Sequence, residues 1–256
     1  MSKKLMNMQI LENVRIAKDV YKMKLQAEEL NFSEMMAGCF INIKVGSGSE
    51  LLLRRPISIF ETDEKEKNLS IIYKVLGRGT MIMSSMKEGD LLSVLGPLGT
   101  GFPIQDESRK VLLAGGGVGV PPLYELGKRL KENGIQVETV LGFRDKESIF
   151  CKEDFEKLGP THIATEDGSY GTKGYVTDAI KEKEIGFDTL YACGPKLMLR
   201  ALDETYMETK RGFLSFEERM ACGIGACYGC MTETKDGLRR VCKDGPVFKL
   251  GEVRYE

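Results

Sequence analysis

The chain has 256 residues, enough for two domains or one large one, and 42% of them are hydrophobic, so a packed core is available. Its 37 Lys and Arg against 38 Asp and Glu lack the basic surplus of a nucleic-acid binder, and a single histidine argues against zinc hydrolases, Ser-His-Asp triads and Cys-His proteases. No stretch approaches the ~20 apolar residues of a membrane span, and the start, MSKKLMNMQI, has no long apolar run behind its two lysines and does not read as a signal peptide. A cytoplasmic protein with no membrane or nucleic-acid partner is expected, its chemistry carried by a bound cofactor in place of imidazole.

The first hundred residues read as β. Tyr21, Met23, Leu25 and Ala27 alternate with Lys22, Lys24 and Gln26; residues 40–45 alternate again; Leu69, Ile71, Tyr73 and Val75 oppose Ser70, Ile72 and Lys74. A period of two marks half-buried strands, and short strands between Gly- and charge-rich turns predict a small antiparallel barrel. Arg54-Arg55-Pro56-Ile57-Ser58-Ile59-Phe60 lies at a strand end, and Gly77-Arg78-Gly79-Thr80 opens a predicted helix. A helix N-terminus offers free N–H groups and a positive dipole end to a pyrophosphate, to which Arg55 would add a charge and Ser58 a hydroxyl. Taken singly, R-P-x-S also reads as a strand edge with a proline. Residues 96–102, Gly-Pro-Leu-Gly-Thr-Gly-Phe, close the barrel.

The pattern changes at Lys110. Residues 111–114 form a continuous apolar run, as in a buried parallel strand. A glycine-rich turn follows, Gly115-Gly116-Gly117-Val118-Gly119, and Pro121 opens a helix with Leu123, Leu126 and Leu130 inward and Gly134 at its end. Further strands are expected at 137–141, 162–165 and 189–193. A short helix is expected around Phe155, one capped by Thr177 and running to about Glu184, and one from Pro195 to about Lys210. Alternating βα units predict a parallel sheet, and a glycine turn between strand and helix is where a dinucleotide binds. Carboxylates in Thr165-Glu166-Asp167-Gly168-Ser169 could hold ribose hydroxyls or be a solvated turn. Arg144 could meet a 2′-phosphate, so NAD and NADP both remain open. Cys193 reads either as a buried strand cysteine or as a residue of this site.

After Phe216 the regular pattern stops, and four of the seven cysteines crowd together as C-x4-C-x2-C-x11-C: Cys222, Cys227, Cys230 and Cys242. Four thiolates suit zinc or an iron–sulfur cluster. The first three follow plant-type [2Fe–2S] spacing, whereas zinc sites more often use two C-x2-C knuckles. Gly223, Gly225, Ala226 and Gly229 between them would let backbone N–H groups approach bridging sulfides. The segment is too short to fold on its own apolar core.

The three barrel segments, in this order, resemble the ferredoxin–NADP reductase superfamily. The resemblance implies FAD held by Arg55, Pro56, Ile57 and Ser58, flanked by Ile72, Tyr73 and Lys74, with its phosphates at Gly79 and Thr80. It makes the turn at Gly115, Gly116, Gly117 and Gly119 the family's own G-G-x-G-x-x-P variant. It places Cys193, Gly194 and Pro195 beside the nicotinamide of NAD. One departure is Gly38-Cys39-Phe40, where the family commonly has Gly-Gln-Phe; Cys39 reads as a small buried hydrophobe. Residues 216–227 and 241–248 around the cysteines look like the electron-transfer subunits of class 1B dihydroorotate dehydrogenases, and that resemblance covers essentially the whole chain.

It implies an α+β multi-domain protein: an FAD-binding antiparallel β-barrel at 1–103, an NAD-binding α/β parallel-sheet domain at 104–212, and a small C-terminal [2Fe–2S] module at 213–256. The implied partner is an FMN-containing catalytic subunit that oxidises dihydroorotate to orotate in pyrimidine biosynthesis, in a heterotetramer of two of each. Electron count orders the cofactors: nicotinamide gives two electrons as hydride, a [2Fe–2S] cluster takes one at a time, and a flavin does both. Two alternatives stay open. One is a subunit of an NADH-dependent ferredoxin–NADP oxidoreductase or of a sulfur-reducing complex; the other is a redox-sensing or zinc-stapled binding protein without turnover.

Overall fold

The computed structural model describes residues 3–46, 51–105 and 107–255; the expected outer limits at 1 and 256 lie outside them. The barrel is built from β1 (Lys4–Ala17), β2 (Val20–Gln26), β3 (Phe40–Lys44), β4 (Arg55–Asp63), β5 (Asn68–Lys74) and β6 (Leu91–Leu98), with α1 (Arg78–Ser85) between the last two. The strands close in the order β1-β2-β5-β4-β3-β6, every pair antiparallel. Met8, Ile10, Met23, Leu25, Ile41, Ile43, Leu69 and Ile71 fill the interior with 0–1% exposure. The long first strand escapes the sequence reading although Met6, Met8 and Ile10 carry its alternation.

The expected half-buried strands are more buried than that. Ser70 and Ile72 are covered as well, because the barrel's outer face packs on the second unit. Phe60 stacks on Tyr124 at 4.6 Å, and Glu125 accepts hydrogen bonds from the Thr62 amide (3.1 Å) and hydroxyl (3.0 Å).

That second unit contains β7 (Lys110–Gly116), α2 (Pro122–Glu132), β8 (Gln136–Phe143), α3 (Lys152–Glu156), β9 (Thr161–Thr165), β10 (Thr172–Lys173), α4 (Val176–Glu182), β11 (Thr189–Cys193), α5 (Lys196–Tyr206) and β12 (Arg211–Ser215). The sheet order is β10-β9-β8-β7-β11-β12-β15, where β15 (Val247–Lys249) returns from the cysteine segment and pairs antiparallel with β12; the other pairs are parallel. Val111, Leu112, Leu113 and Ala114 are 0% exposed, as a strand covered on both faces requires. Helix α2 starts with proline at its first position and ends at Gly134, whose φ of +74° is the left-handed stop that glycine favours. Helix α4 is not capped by Thr177. It begins at Val176 after an extended Tyr175, and Asp178 reaches back to accept the Tyr175 amide at 2.7 Å. Helix α5 ends at Tyr206, a turn before the expected Lys210.

Strand β12 runs across position 212, where the sequence reading divides sheet from cysteine module. The module itself carries the hairpin β13 (Met231–Thr234) and β14 (Gly237–Arg240). It leans on both larger units. Thr100, just past β6, donates its amide to the Gly245 carbonyl at 2.6 Å, and Phe216 donates to the Pro246 carbonyl at 2.9 Å. No helix among the described residues is long and apolar enough to cross a membrane.

Candidate functional site

At the barrel end, two adjacent arginines diverge. Arg54 turns into the wall, donating to the carbonyls of Ser93 (2.8 Å) and Asn42 (3.3 Å) and to the Ser93 hydroxyl (3.2 Å). Arg55 reaches the start of α1, where a Cβ on Gly79 would stand 2.3 Å from its Nε. The guanidinium therefore lies directly over Gly79, and the expected R-P-x-S and G-T segments meet there. Pro56, Ile57 and Ser58 are half-buried, open to a bound group. Thr80 is engaged otherwise: its hydroxyl oxygen accepts the amides of Leu76 (3.0 Å) and Gly77 (3.3 Å) and donates to the Gly77 carbonyl (3.1 Å), closing the first turn.

Of the flanking trio, Ile72 is buried and Lys74 half-buried. Tyr73 points into the core, 2% exposed, and its hydroxyl donates to Asn13 Oδ1 at 3.0 Å. Burial pushes that phenol well above its ordinary range. Asn13, which the sequence reading did not single out, also donates to the carbonyls of Met83 and Met86, both at 2.9 Å. It thus pins the C-terminal end of α1 and so fixes where the N-terminal end points.

Strands β7 and β11 are neighbours in the sheet but not in the chain. Between their C-terminal ends lies the switch point where open α/β sheets bind ligands. A cleft of about 750 Å³ opens there, lined among others by Gly116, Gly117, Gly119, Gly194 and Pro195 from these ends and by Lys74 from the barrel. The glycines divide by duty. A Cβ on Gly119 would stand 2.4 Å from the Cys193 carbonyl oxygen, and one on Gly116 2.6 Å from Met198 Sδ. One on Gly115 would meet Val120 at 2.9 Å, so these three are demanded by close packing. Gly117 has φ +52° and open space above it, so its role is backbone conformation at the cleft floor.

Cys193 pairs with Gly115 on one side and Ser215 on the other, and its side chain is 1% exposed. Burial, joined by the charge of Glu217, pushes its thiol far up; it lies in the sheet beneath the cleft, which Gly194 and Pro195 line in its place. Glu217 was not foreseen. It lines the same cleft, whose walls press on its carboxyl and push it up. Of the acidic turn, Glu166 lines the cleft, whereas Asp167 is taken by the amide (2.9 Å) and hydroxyl (2.6 Å) of Ser169. Arg144 also lines the cleft but is paired with Asp145 at 2.9 Å.

In the cysteine segment, Gly223 (φ +71°) and Gly225 (φ +85°) turn the loop so that its amides converge. Cys222 Sγ accepts the N–H groups of Ala226 (3.3 Å), Cys227 (3.4 Å) and Ile224 (3.5 Å). Partial burial opposes ionisation, but these amides and the Cys227 thiol prevail and bring the Cys222 thiol down to about 6, a thiolate at neutral pH and a ready metal ligand. Cys230 Sγ accepts the Cys242 amide at 3.4 Å. Burial, with Cys230 beside it, pushes Cys242 up to about 12. Cys227 thus lies beside Cys222, and Cys242 beside Cys230. Four cysteines on a loop whose amides already point at sulfur are residues that would hold an iron–sulfur cluster. Arg240 braces the loop, donating to the Gly225 carbonyl (3.1 Å), pairing with Asp244 (3.0 Å) and lying 5.3 Å from the Tyr228 ring centre.

A closed antiparallel barrel, a parallel sheet with a glycine turn at its switch point and a module of paired cysteines define an oxidoreductase of the ferredoxin–NADP reductase type with an iron–sulfur extension. The family model for the iron–sulfur cluster binding domain of dihydroorotate dehydrogenase B matches residues 217–254, and that for the oxidoreductase NAD-binding domain matches residues 113–204. The chain is 45% identical over 259 residues to the dihydroorotate dehydrogenase B (NAD(+)) electron transfer subunit of Shouchella clausii (strain KSM-K16), with 99% of each covered. It is 47% identical over 254 residues to that of Geobacillus sp. (strain WCH70), covering 96% of this chain and 97% of the relative. It belongs to the family of dihydroorotate dehydrogenase B (NAD+) electron-transfer subunits. Among solved structures, a chain of an NADH-dependent reduced ferredoxin–NADP oxidoreductase superposes with a TM-score of 0.88 at 34% identity, over 97% of this chain and 90% of that one. The ferredoxin reductase of a carbazole 1,9a-dioxygenase, at 18% identity and a TM-score of 0.69 over 81% of this chain and 66% of its own, shows the shared fold.

Proposed function

We propose that this chain exchanges electrons between NAD and an FMN-containing dihydroorotate dehydrogenase subunit, through FAD against β4, β5 and α1 and a [2Fe–2S] cluster on Cys222, Cys227, Cys230 and Cys242. The observation that carries the reading is convergence: the barrel strand bearing Lys74, the glycine turn and the end of β11 border one cleft, and the cysteine module packs on that same barrel and sheet. FAD bound there would supply the conversion between two-electron and one-electron transfer.

The chain's own residues bind and orient. Arg55 and the α1 N-terminus face phosphate, the Gly116–Gly119 backbone floors the dinucleotide site, and the loop amides hold Cys222 as thiolate. Glu166 and the Asp145-paired Arg144 at the cleft favour the unphosphorylated ribose of NAD. No side-chain base is required. The single imidazole, His162, is hydrogen-bonded to Glu138 at 2.9 Å.

The ferredoxin-linked reading draws on the solved relative at 34% identity; the 45–47% identity to dihydroorotate dehydrogenase subunits favours the present one. Anaerobically purified protein is expected to hold about two irons and two acid-labile sulfides per FAD. Alone, it should oxidise NADH with artificial dyes but not dihydroorotate, and an added FMN-containing catalytic subunit should confer dihydroorotate-dependent NAD reduction in a complex of two copies of each. Stoichiometric zinc without sulfide would sink the cluster, and failure to form a complex would hand the chain to the ferredoxin-linked reading.

A further inference from the structure

Asn42 sits in the middle of β3, 1% exposed, and neither its side-chain nitrogen nor its side-chain oxygen has a hydrogen-bond partner. Among the described residues it is the only side chain with two buried polar atoms left unpaired. Buried amides are almost always paired, so the partner sought is a group outside the polypeptide.

Its position narrows what that group is. Asn42 pairs with Pro56 on β4, and cross-strand partners share a face of the sheet. Ile41 and Ile43, to either side, fill the barrel interior, so by alternation Asn42 faces outward. What it meets there is the cysteine module. A Cβ on Gly223, next to Cys222, would stand 2.6 Å from Asn42 Nδ2 and 3.5 Å from its Cγ. The side-chain amide is therefore the end presented to the loop, and toward sulfur it is the NH2 group that can donate. The loop's own amides already converge as donors on Cys222 Sγ. A further donor arriving from the barrel therefore requires an electron-rich acceptor that the loop does not itself supply.

We infer that Asn42 Nδ2 donates a hydrogen bond to sulfur of the cluster unit held at Cys222, making it a positioning residue that sets the cluster's reduction potential from the barrel side. The inference rests on the cluster reading above. Hydrogen bonds to the sulfurs of such a cluster favour its more negative, reduced state and raise the potential. They also tie the strand that flanks the flavin segment to the module that receives the electron.

The test uses the anaerobically purified holoprotein and two measurements. Asparagine labelled with nitrogen-15 in its side-chain amide should give the reduced cluster a hyperfine coupling to the label, with no variant needed. Asn42→Leu, nearly isosteric and free of unpaired polar atoms, should lower the cluster midpoint in a redox titration followed by electron paramagnetic resonance. The expected shift is about tenfold in the reduced-to-oxidised ratio, or about 59 mV for one electron, with the flavin midpoint unmoved. An unchanged cluster midpoint overturns the inference. So does a shift confined to the flavin, which would give the amide to that cofactor. If the variant fails to load the cluster, the label decides, and absence of coupling overturns the inference. A parent that shows no cluster signal at all would instead fail the cluster reading itself.

Discussion

Arg54 and Arg55 are chemically identical neighbours with opposite placements: one hydrogen-bonds into the barrel wall, the other lies over Gly79 at the start of α1. A charge-assisted hydrogen bond to phosphate is worth ~1.5–3 kcal/mol. Arg55→Ala should therefore lose roughly tenfold to hundredfold in FAD affinity, read as flavin lost on ultrafiltration, while the cluster signal and melting temperature persist. Retention equal to the parent's would place the flavin phosphates elsewhere. Thr80→Ala should behave differently. Its hydroxyl accepts the Leu76 and Gly77 amides, so the variant should lose about 1 kcal/mol of stability, as cap removal does, with weaker flavin retention following from the frayed turn. Cys242 is 0% exposed and paired with Cys230. Cys242→Ser should abolish or destabilise the cluster signal and leave FAD bound; an intact signal would exclude it as a ligand.

At the scale of elements, the switch-point cleft depends on how closely the β7 turn approaches the end of β11. A Cβ at Gly119 would press on the Cys193 carbonyl and Gly194, both backbone, which cannot rotate away. Gly119→Ala should force the two strand ends apart at ~1–3 kcal/mol of overpacking and raise the KM for NADH in the dye assay, with cluster and flavin content unchanged. An unaltered KM would remove the turn from the binding site. The long helices and central strands are legible because three leucines at helical spacing or four consecutive aliphatics are a local signal. The start of α4 was misread because Thr177 is a good cap in isolation, yet the chain places Asp178 where it can take the Tyr175 amide. Strands β12 and β15 are not among the expected strands: each is short, and each becomes a strand by pairing with a partner the local sequence does not reveal.

At the scale of the whole molecule, the two thiol pairs differ in exposure. Cys230 and Cys242 are buried, Cys222 is half-buried and Cys227 is exposed. The loop that carries Cys227 also presents Ile224, 40% exposed, and Tyr228, 61% exposed, the latter lying over Arg240. Exposed apolar and aromatic residues beside Cys227 suit a contact buried in a complex. Ile224→Glu or Tyr228→Glu should therefore impair dihydroorotate-dependent NAD reduction by the reconstituted complex and spare NADH oxidation by dyes. Equal loss in both assays would mean that these residues shield the cluster instead of meeting the partner.

Cysteine spacing, strand alternation and the glycine turn are properties of residues within a few positions of one another, and from them the cofactor class, the barrel, the parallel sheet and the family resemblance could all be read in chain order. The same local signals could not say that Arg54 is taken up by the barrel wall at Ser93, or that Glu217 opens onto the switch-point cleft. Nor could they show that Asn42 lies buried and unpaired against Gly223. Each of those depends on segments scores of residues apart being brought within a few ångströms, and that distance is set by the packing of barrel, sheet and module on one another.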